Sequence, residues 1–401
     1  MKTEEHILIV GAGIVGLTAA ALLSQLNKRY RIHVIDANKP ANFNSSEDLD
    51  LRVSALSKGS MEIFEKLGVW EEITAKRAFP YRSMRVWDGN DVADGLAAIN
   101  FEASEFGLSE LGFITENNRV QAKLKELIEV SDVSLHYNTS IRSMERVKNQ
   151  NNLEIQLSDN QNLHIDLLIG ADGANSATRK LFDVQMTEHD YEQKGFVVHV
   201  ETEYDHKDTA WQRFLTDGPI ALLPLGKKEA SIVWSTTNHQ IKFNKTLTND
   251  SLSKLLSETT DYALGNLKVI SKCANFDLKY QHAKTYTRDN FAIIGDAAHS
   301  IHPLAGQGLN LGIADANCLV KVINRAIKNH EYIGDRYSLR AFEREQKSAN
   351  WMMLNFVDTL HKLFLNSSSV IENMRGLGMR LFNRNIFLKR YAMKNALGID
   401  L

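Results

Sequence analysis

The sequence predicts an α/β protein: a Rossmann-like nucleotide-binding unit, interleaved with a β-rich unit and followed by C-terminal helices. Three observations carry this. An apolar run at residues 6–10 passes through closely spaced glycines into an amphipathic helix and then a second strand, the opening of a βαβ unit. From about residue 190 to 285 the character changes to short runs of β-formers: FVVHV, AWQRFL, IALLPL and ASIVWST. After residue 334 the apolar spacing is helical to the end.

The elements follow in order. Residues 6–10 read as a strand, about 14–28 as a helix, and 31–36 as a strand ending at Asp36. The segment ANFNSSEDLD, residues 41–50, is too polar for a core and reads as an exposed loop. Helical spacing resumes at Leu56, Met61, Ile63, Phe64 and Leu67 and closes at Gly68. Strands are expected at 82–88 and 96–101, and Asn118 is placed to cap a helix carrying Val120, Leu124, Leu127 and Ile128. Short strands follow at 133–137, 140–147, 153–157 and 163–169, then an antiparallel sheet with one helix near 249–258. Strand 290–294 leads into a second glycine-rich segment and a long helix from near Gly308. The expected nucleotide-binding domain comprises 1–80, 110–185 and 285–335; the β-rich domain comprises 81–109 and 186–284, and 336–401 is a helical tail.

Composition removes several function classes. The chain has 401 residues, 43% hydrophobic and 24% charged, as a soluble globular protein does. Its 47 Lys plus Arg against 49 Asp plus Glu offer no charge excess for non-specific nucleic-acid binding. Two cysteines, Cys273 and Cys318, preclude a disulfide framework or a Cys-rich metal site, and a reducing cytoplasmic setting is expected. The apolar stretch 7–23 imitates a signal peptide, but Glu4 and Glu5 precede it and glycines punctuate it. No Ser/His/Asp arrangement, HExxH or metal cluster is found among the 13 histidines.

Gly11-Ala12-Gly13-Ile14-Val15-Gly16 fits G-x-G-x-x-G. The first glycine permits the turn, the second lets a pyrophosphate approach, and the third allows close helix–strand packing. The helix N-terminus faces the phosphates, and Asp36 is placed to accept hydrogen bonds from ribose hydroxyls. The pattern does not separate FAD from NAD. Two further strand-to-loop motifs follow: LIGADGANSATRK at 168–180, and a segment running from Gly295-Asp296 through Pro303, Gly306 and Gly308 into a helix.

In this order the three motifs resemble those of class A flavoprotein monooxygenases, the aromatic hydroxylases of the p-hydroxybenzoate hydroxylase type. The run HPLAGQGLNLGI, His302 to Ile313, is closer still to the ubiquinone-biosynthesis hydroxylases of the UbiH, UbiF and VisC sort. So are Arg52-Val53-Ser54-Ala55-Leu56-Ser57 with Ser60, Leu67-Gly68-Val69-Trp70, and Glu116-Asn117-Asn118-Arg119-Val120-Gln121. The resemblance covers essentially the whole chain. It implies FAD, with NADPH or NADH as transient reductant, and a flavin C4a-hydroperoxide that hydroxylates the ring of a polyprenyl phenol. It further implies that Arg52, Arg119 and Gln121 contact FAD, that Asp172 and Gly173 serve both FAD and the pyridine nucleotide, and that Asp296, after Gly295, binds the ribityl chain. Arg179 has the fork that matches phosphate oxygens, and under this resemblance it is the expected pyrophosphate clamp for NAD(P)H. The flavin ring would lie over Pro303 to Asn310, with Gly306, Gln307, Gly308, Leu309 and Asn310 beneath it and Pro303 walling its reactive face. Asp36 departs slightly, since a glutamate commonly stands there.

Other readings stay open: a squalene-epoxidase-like or isoprenoid-reductase-like flavoprotein, or a flavin-binding assembly protein without turnover. A halogenase is disfavoured because no W-x-W-x-I-P occurs. His299 and His302 read as structural histidines bonded to backbone. Phe214, Leu222, Leu223, Pro224, Trp234 and Tyr286 are candidates for the substrate lining. The tail, with Arg375, Arg380, Arg384, Lys389, Arg390 and Lys394 among apolar residues, either packs as core or docks a membrane surface or an assembly partner.

Overall fold

The computed structural model describes residues 5–26, 30–40, 43, 49–147, 151–302, 306–366 and 368–399. Its first sheet has six strands in the order Thr287–Arg288, Phe291–Ile293, Leu167–Gly170, Glu5–Val10, Tyr30–Asp36 and Ser134–Tyr137. All pairs are parallel except the first. Ile7, Leu8 and Ile9 are all buried, which a parallel strand covered on both faces requires. Helix Ile14–Ser24 is buried on nearly every side, so the expected amphipathic stripe is absent. It is wedged between the sheet and helices Gln307–Lys328 and Asn117–Glu129. A Cβ on Gly312 would meet Val15 Cγ2 at 2.7 Å, which is how close these helices run.

Several expected boundaries move. Leu56 belongs to strand Val53–Ser57, and the helix starts at Lys58, where the Ser57 side chain caps Ser60 N–H. It ends at Gly68, whose φ of 77° suits glycine. Helix Asn117–Glu129 has Glu116, not Asn118, at its N-cap; Asn118 instead donates to the Asp50 carboxylate at 2.8 Å. The single strand expected at 163–169 is two: Asn162–Ile165 in a small antiparallel sheet, and Leu167–Gly170 in the parallel sheet. Both stretches are apolar enough that periodicity alone cannot place the break at Asp166.

The second large sheet has nine strands and includes Ser83–Asp88 and Ile99–Glu102 beside the strands between 186 and 283 and the short strand His299–Ser300. One face packs on helices Asn238–Asn244 and Asn249–Thr259 through Phe196, Val198, Val200, Ile220, Leu222, Ile232 and Trp234. The first of these helices was not expected; its signal is Thr237, whose hydroxyl accepts from Gln240 N–H. The tail is helical over Arg336–Leu365, Ser369–Arg384 and Ile386–Leu397. Two of its cations are not solvated. Arg375 is buried against Asp88 and also donates to the carbonyl of Leu363 at 3.0 Å, while Lys389 is buried against Glu105.

Candidate functional site

The glycine turn sits where the parallel strands end. Gly11 N–H donates to Ile35 O at 2.8 Å, and a Cβ there would lie 2.3 Å from Ala171 O. A Cβ on Gly16 would lie 1.9 Å from Gly11 O. Gly13 differs: it is the N-cap of helix Ile14–Ser24, without a side-chain cap, and a Cβ on it would meet nothing within 4 Å. The first N–H groups of that helix therefore face open space, a cradle that suits a pyrophosphate. The turn is braced from both sides. Asp36 Oδ2 accepts from Ala12 N–H at 2.8 Å, and Gln121 Nε2 donates to Ala12 O at 2.7 Å. Asp36 keeps lone pairs for a ribose, whereas Gln121 acts on the loop itself.

The second motif is a self-contained cap. Asp172 accepts from Ser176 Oγ, Thr178 Oγ1 and the backbone N–H of Ala177 and Thr178 at 2.6–3.0 Å. Gly173, with φ +78°, has open space where a Cβ would stand. Arg179 is 7% exposed; its guanidinium donates to Ala297 O at 3.1 Å and Ala174 O at 2.7 Å. In this structure the fork ties the Asp172 loop to the Asp296 loop rather than standing open to a phosphate. Arg119 is similarly occupied, donating to Ile73 O at 2.6 Å and Glu72 O at 2.8 Å, so it closes the end of helix Trp70–Thr74.

Asp296 combines solvent exposure with the environment of a crevice. Desolvation raises its pKa, while His299 and Arg52 pull it down and Asp315 pushes it up. Arg52 is exposed and near enough to be felt at Asp296. Gly295, at φ +59°, donates to Asp315 at 3.0 Å. Asp315 also takes His299 Nε2 at 2.6 Å and Asn350 Nδ2 at 3.0 Å, all within the core. Burial would lower the His299 pKa, but the Asp315 charge and hydrogen bond outweigh it and raise it. So His299 is structural through a carboxylate, not through backbone as expected. His302 is fully buried, both ring nitrogens lack partners among the described residues, and burial pushes it down to about 3.

Pro303 lies outside the described residues. From Gly306, at φ +62°, the chain enters helix Gln307–Lys328 with no side-chain cap. Asn310 is a clamp: Oδ1 accepts from Ser57 N–H at 2.9 Å and Ser60 Oγ at 2.7 Å, and Nδ2 donates to Ala55 O at 2.8 Å. It locks strand Val53–Ser57 to this helix start. Gln307 is buried, Leu309 half-buried, and a Cβ on Gly308 would touch only Ile301, at 3.6 Å.

The lining candidates divide. Leu222 and Trp234 point into the helix-covered face, and Tyr286 is buried in the core around the parallel sheet. Leu223 lies on the opposite face, clustered with Val53, Ala55, Ile114 and Leu225. Phe214 packs on Phe364 of the tail, ring centroids 3.9 Å apart, in a cluster that includes Ile301. Pro224 is buried at the end of its strand. Among the described residues no group of three or more His, Cys, Asp or Glu is arranged to hold a metal ion.

Comparison with known proteins shows the family and the fold. The family described as FAD binding domain matches residues 4–356. The chain is 33% identical over 397 residues to the 3-demethoxyubiquinol 3-hydroxylase of Escherichia coli (strain K12), covering 98% of each. It is 34% identical over 438 residues to the mitochondrial ubiquinone biosynthesis monooxygenase COQ6 of Drosophila melanogaster, covering 99% of this chain and 91% of that one. The fold is shared with PqsL of Pseudomonas aeruginosa, a probable FAD-dependent monooxygenase, at a TM-score of 0.77 and 21% identity over 94% of this chain and 99% of that one. It is also shared with p-nitrophenol 4-monooxygenase PnpA of Pseudomonas putida DLL-E4, at 0.76 and 14% over the whole of both.

Proposed function

The chain belongs to the FAD-binding-domain family of flavoprotein monooxygenases, and we propose that it uses NAD(P)H and O₂ to hydroxylate the ring of a polyprenyl phenol in ubiquinone biosynthesis. What carries the reading is near-full-length similarity to ubiquinone hydroxylases together with an open cradle at Gly13. In this reading the N–H groups following Gly13 hold the pyrophosphate, Asp36 the adenosine ribose, and Asp296 the ribityl chain. Bound there, FAD supplies the passage of electrons from NAD(P)H to O₂ and the delivery of one oxygen atom to the ring. The protein supplies position and dryness. The uncapped start of helix Gln307–Lys328 would offer its backbone N–H groups and positive dipole end to the electron-rich part of the flavin. Asn310 fixes that helix start against strand Val53–Ser57, and Phe214 with the tail excludes water from one side. Profiling quinone intermediates in cells lacking the protein tests the reading. A phenol lacking one ring hydroxyl should accumulate, and an unchanged profile refutes it.

The tail carries the finer part of this proposal, contact with an anionic membrane surface that holds the substrate. Val370, Met374, Leu377 and Leu381 form an exposed stripe at helical spacing, and Phe387 and Tyr391 are 80% and 70% exposed on the next helix. Arg380, Arg384 and Arg390 are exposed beside them, and each cation near an anionic surface contributes about 1 kcal/mol. No helix among the described residues is long and apolar enough to cross a membrane. Truncation after residue 369 is a poor test, because removing Arg375 leaves buried Asp88 unpaired. Leu377→Glu with Phe387→Glu should keep FAD and thermal stability yet abolish binding to phosphatidylglycerol-rich vesicles; wild type ignoring those vesicles refutes the contact.

A further inference from the structure

Alternation along the large sheet places a polar pair on the face that meets the cofactor loop. Phe196, Val198 and Val200 of strand Met186–Thr202, with Ile232 and Trp234 of strand Glu229–Thr237, face the helices. His199 and Ser231 therefore face the other way, as does Leu223 on strand Gly218–Pro224. Register sets them side by side: His199 opposes Ser231, and Ser231 opposes Leu223. Opposed residues have Cβ atoms ~4.5–5.5 Å apart. Leu223 shares its apolar cluster with Ala55, and Ala55 Cβ lies 3.1 Å from where a Cβ on Gly306 would stand. The pair is thus a short step from the start of helix Gln307–Lys328.

Both side chains carry an unmet hydrogen-bonding group. His199 is 3% exposed and Ser231 fully buried, and neither His199 Nδ1 nor Ser231 Oγ has a partner among the described residues. The tautomer of His199 is set by Asp50: Nε2 lies 3.1 Å from the Asp50 carbonyl, which can only accept. Nε2 therefore carries the hydrogen, and Nδ1 presents a lone pair. Asp50 is itself held, its N–H donating to buried Glu116 at 2.8 Å and its carboxylate accepting from Asn118 at 2.8 Å. Buried orphan groups are costly, and two in adjacent register positions, one a fixed acceptor and one a donor, match a ligand with complementary oxygens.

We infer that His199 and Ser231 anchor the head of the substrate: an aromatic ring with adjacent oxygen substituents, its phenolic O–H donating to His199 Nδ1 and the neighbouring ring oxygen accepting from Ser231 Oγ. This rests on the monooxygenase reading above and names the chemistry its pocket selects. Apolar side chains such as Leu223 take the ring face, and the polar pair fixes its rotation. A site built to bond an O–H discriminates against analogues that lack it.

The test uses FAD-loaded full-length protein and two probes followed by perturbation of the flavin spectrum: 2-methoxyphenol bearing one prenyl unit, and prenylbenzene. Ser231→Ala and His199→Gln should each weaken binding of the phenol roughly tenfold, the effect of one net hydrogen bond. His199→Gln keeps a donor for Asp50 but loses the Nδ1 acceptor; His199→Asn restores an oxygen near the Nδ1 position and should recover most of the affinity. Prenylbenzene should bind wild type and variants alike, with FAD content and melting temperature unchanged. Equal phenol affinity across all proteins overturns the inference, as does a loss shared by both probes or accompanied by loss of FAD. A wild type that binds neither ring removes the monooxygenase reading itself.

Discussion

Replacing Gly13 by alanine separates a ligand-binding glycine from two structural ones. Gly13 has φ −73° and ψ 178°, which alanine adopts freely, and its new Cβ would meet nothing within 4 Å. Losing glycine at an N-cap costs up to about 1 kcal/mol, so the apo-protein should melt within a few degrees of wild type. The same Cβ would stand over the N–H groups that face a pyrophosphate. Displacing a phosphate oxygen there breaks one or two charge-assisted hydrogen bonds, about 1.5–3 kcal/mol each. FAD affinity should fall by at least about tenfold if one such bond is lost, and by up to roughly 10,000-fold if two are. Gly16→Ala should behave oppositely: its Cβ would lie 1.9 Å from Gly11 O, so backbone must shift and the apo-protein itself should be strongly destabilised. Apo-protein is titrated with FAD by quenching of flavin fluorescence, and melting is followed without FAD. Wild-type FAD affinity in Gly13→Ala refutes the reasoning, as does a folded, unperturbed Gly16→Ala.

Asp296→Ala should weaken FAD binding about ten- to a hundredfold by removing a charge-assisted hydrogen bond, and equilibrium dialysis that finds it unchanged refutes the ribityl role. Arg179→Ala should lower stability by about 2 kcal/mol, because the buried Ala297 carbonyl and the half-buried Ala174 carbonyl lose a charged donor, while the KM for NAD(P)H in whatever holoenzyme forms stays near wild type. A raised KM in a fully stable variant reinstates the clamp. His302, pushed down to about 3 by burial, is neutral when folded but titrates near 6.5 when unfolded. The unfolded chain then binds the extra proton, so this contribution is lost as pH falls below about 6.5 and continues to be lost to about 3. His302→Phe should lose about 2 kcal/mol less stability than wild type between pH 7 and 5 in urea titrations; an identical difference sinks the assignment.

Local patterns fixed much of this protein before any tertiary contact was known. The strand, glycine turn and buried helix at the N-terminus follow from Ile7–Ile9 and Gly11, Gly13 and Gly16, because each glycine answers a constraint within a few residues or on the neighbouring strand. Asp36 and Asp296 were legible as acids at strand ends for the same reason. What the sequence could not decide is which partner a polar side chain takes when several lie far apart in the chain. Arg179 carries the right fork for a phosphate, yet Ala297, distant in sequence, is the atom it finds. Gln121 and Arg119 share one motif, but one braces the glycine turn and the other closes a helix end.

Burial and facing are likewise collective. Leu222 and Leu223 are identical neighbours, and only the register of three strands sends one to the helices and the other toward Ala55. His199 and Ser231 carry no motif at all; they gain meaning because antiparallel pairing sets two unpartnered groups side by side on a buried face. Asp88 gives no sign that it awaits Arg375, since that pair joins the end of strand Ser83–Asp88 to the tail across most of the chain. Sequence alone determined the units whose interactions are short in the chain: the glycine turn, the helix stop at Gly68, the acids at strand ends. Tertiary structure decided the rest, because a hydrogen bond or an apolar face is assigned by whichever group packing brings within reach, and that choice is made between segments, not within them.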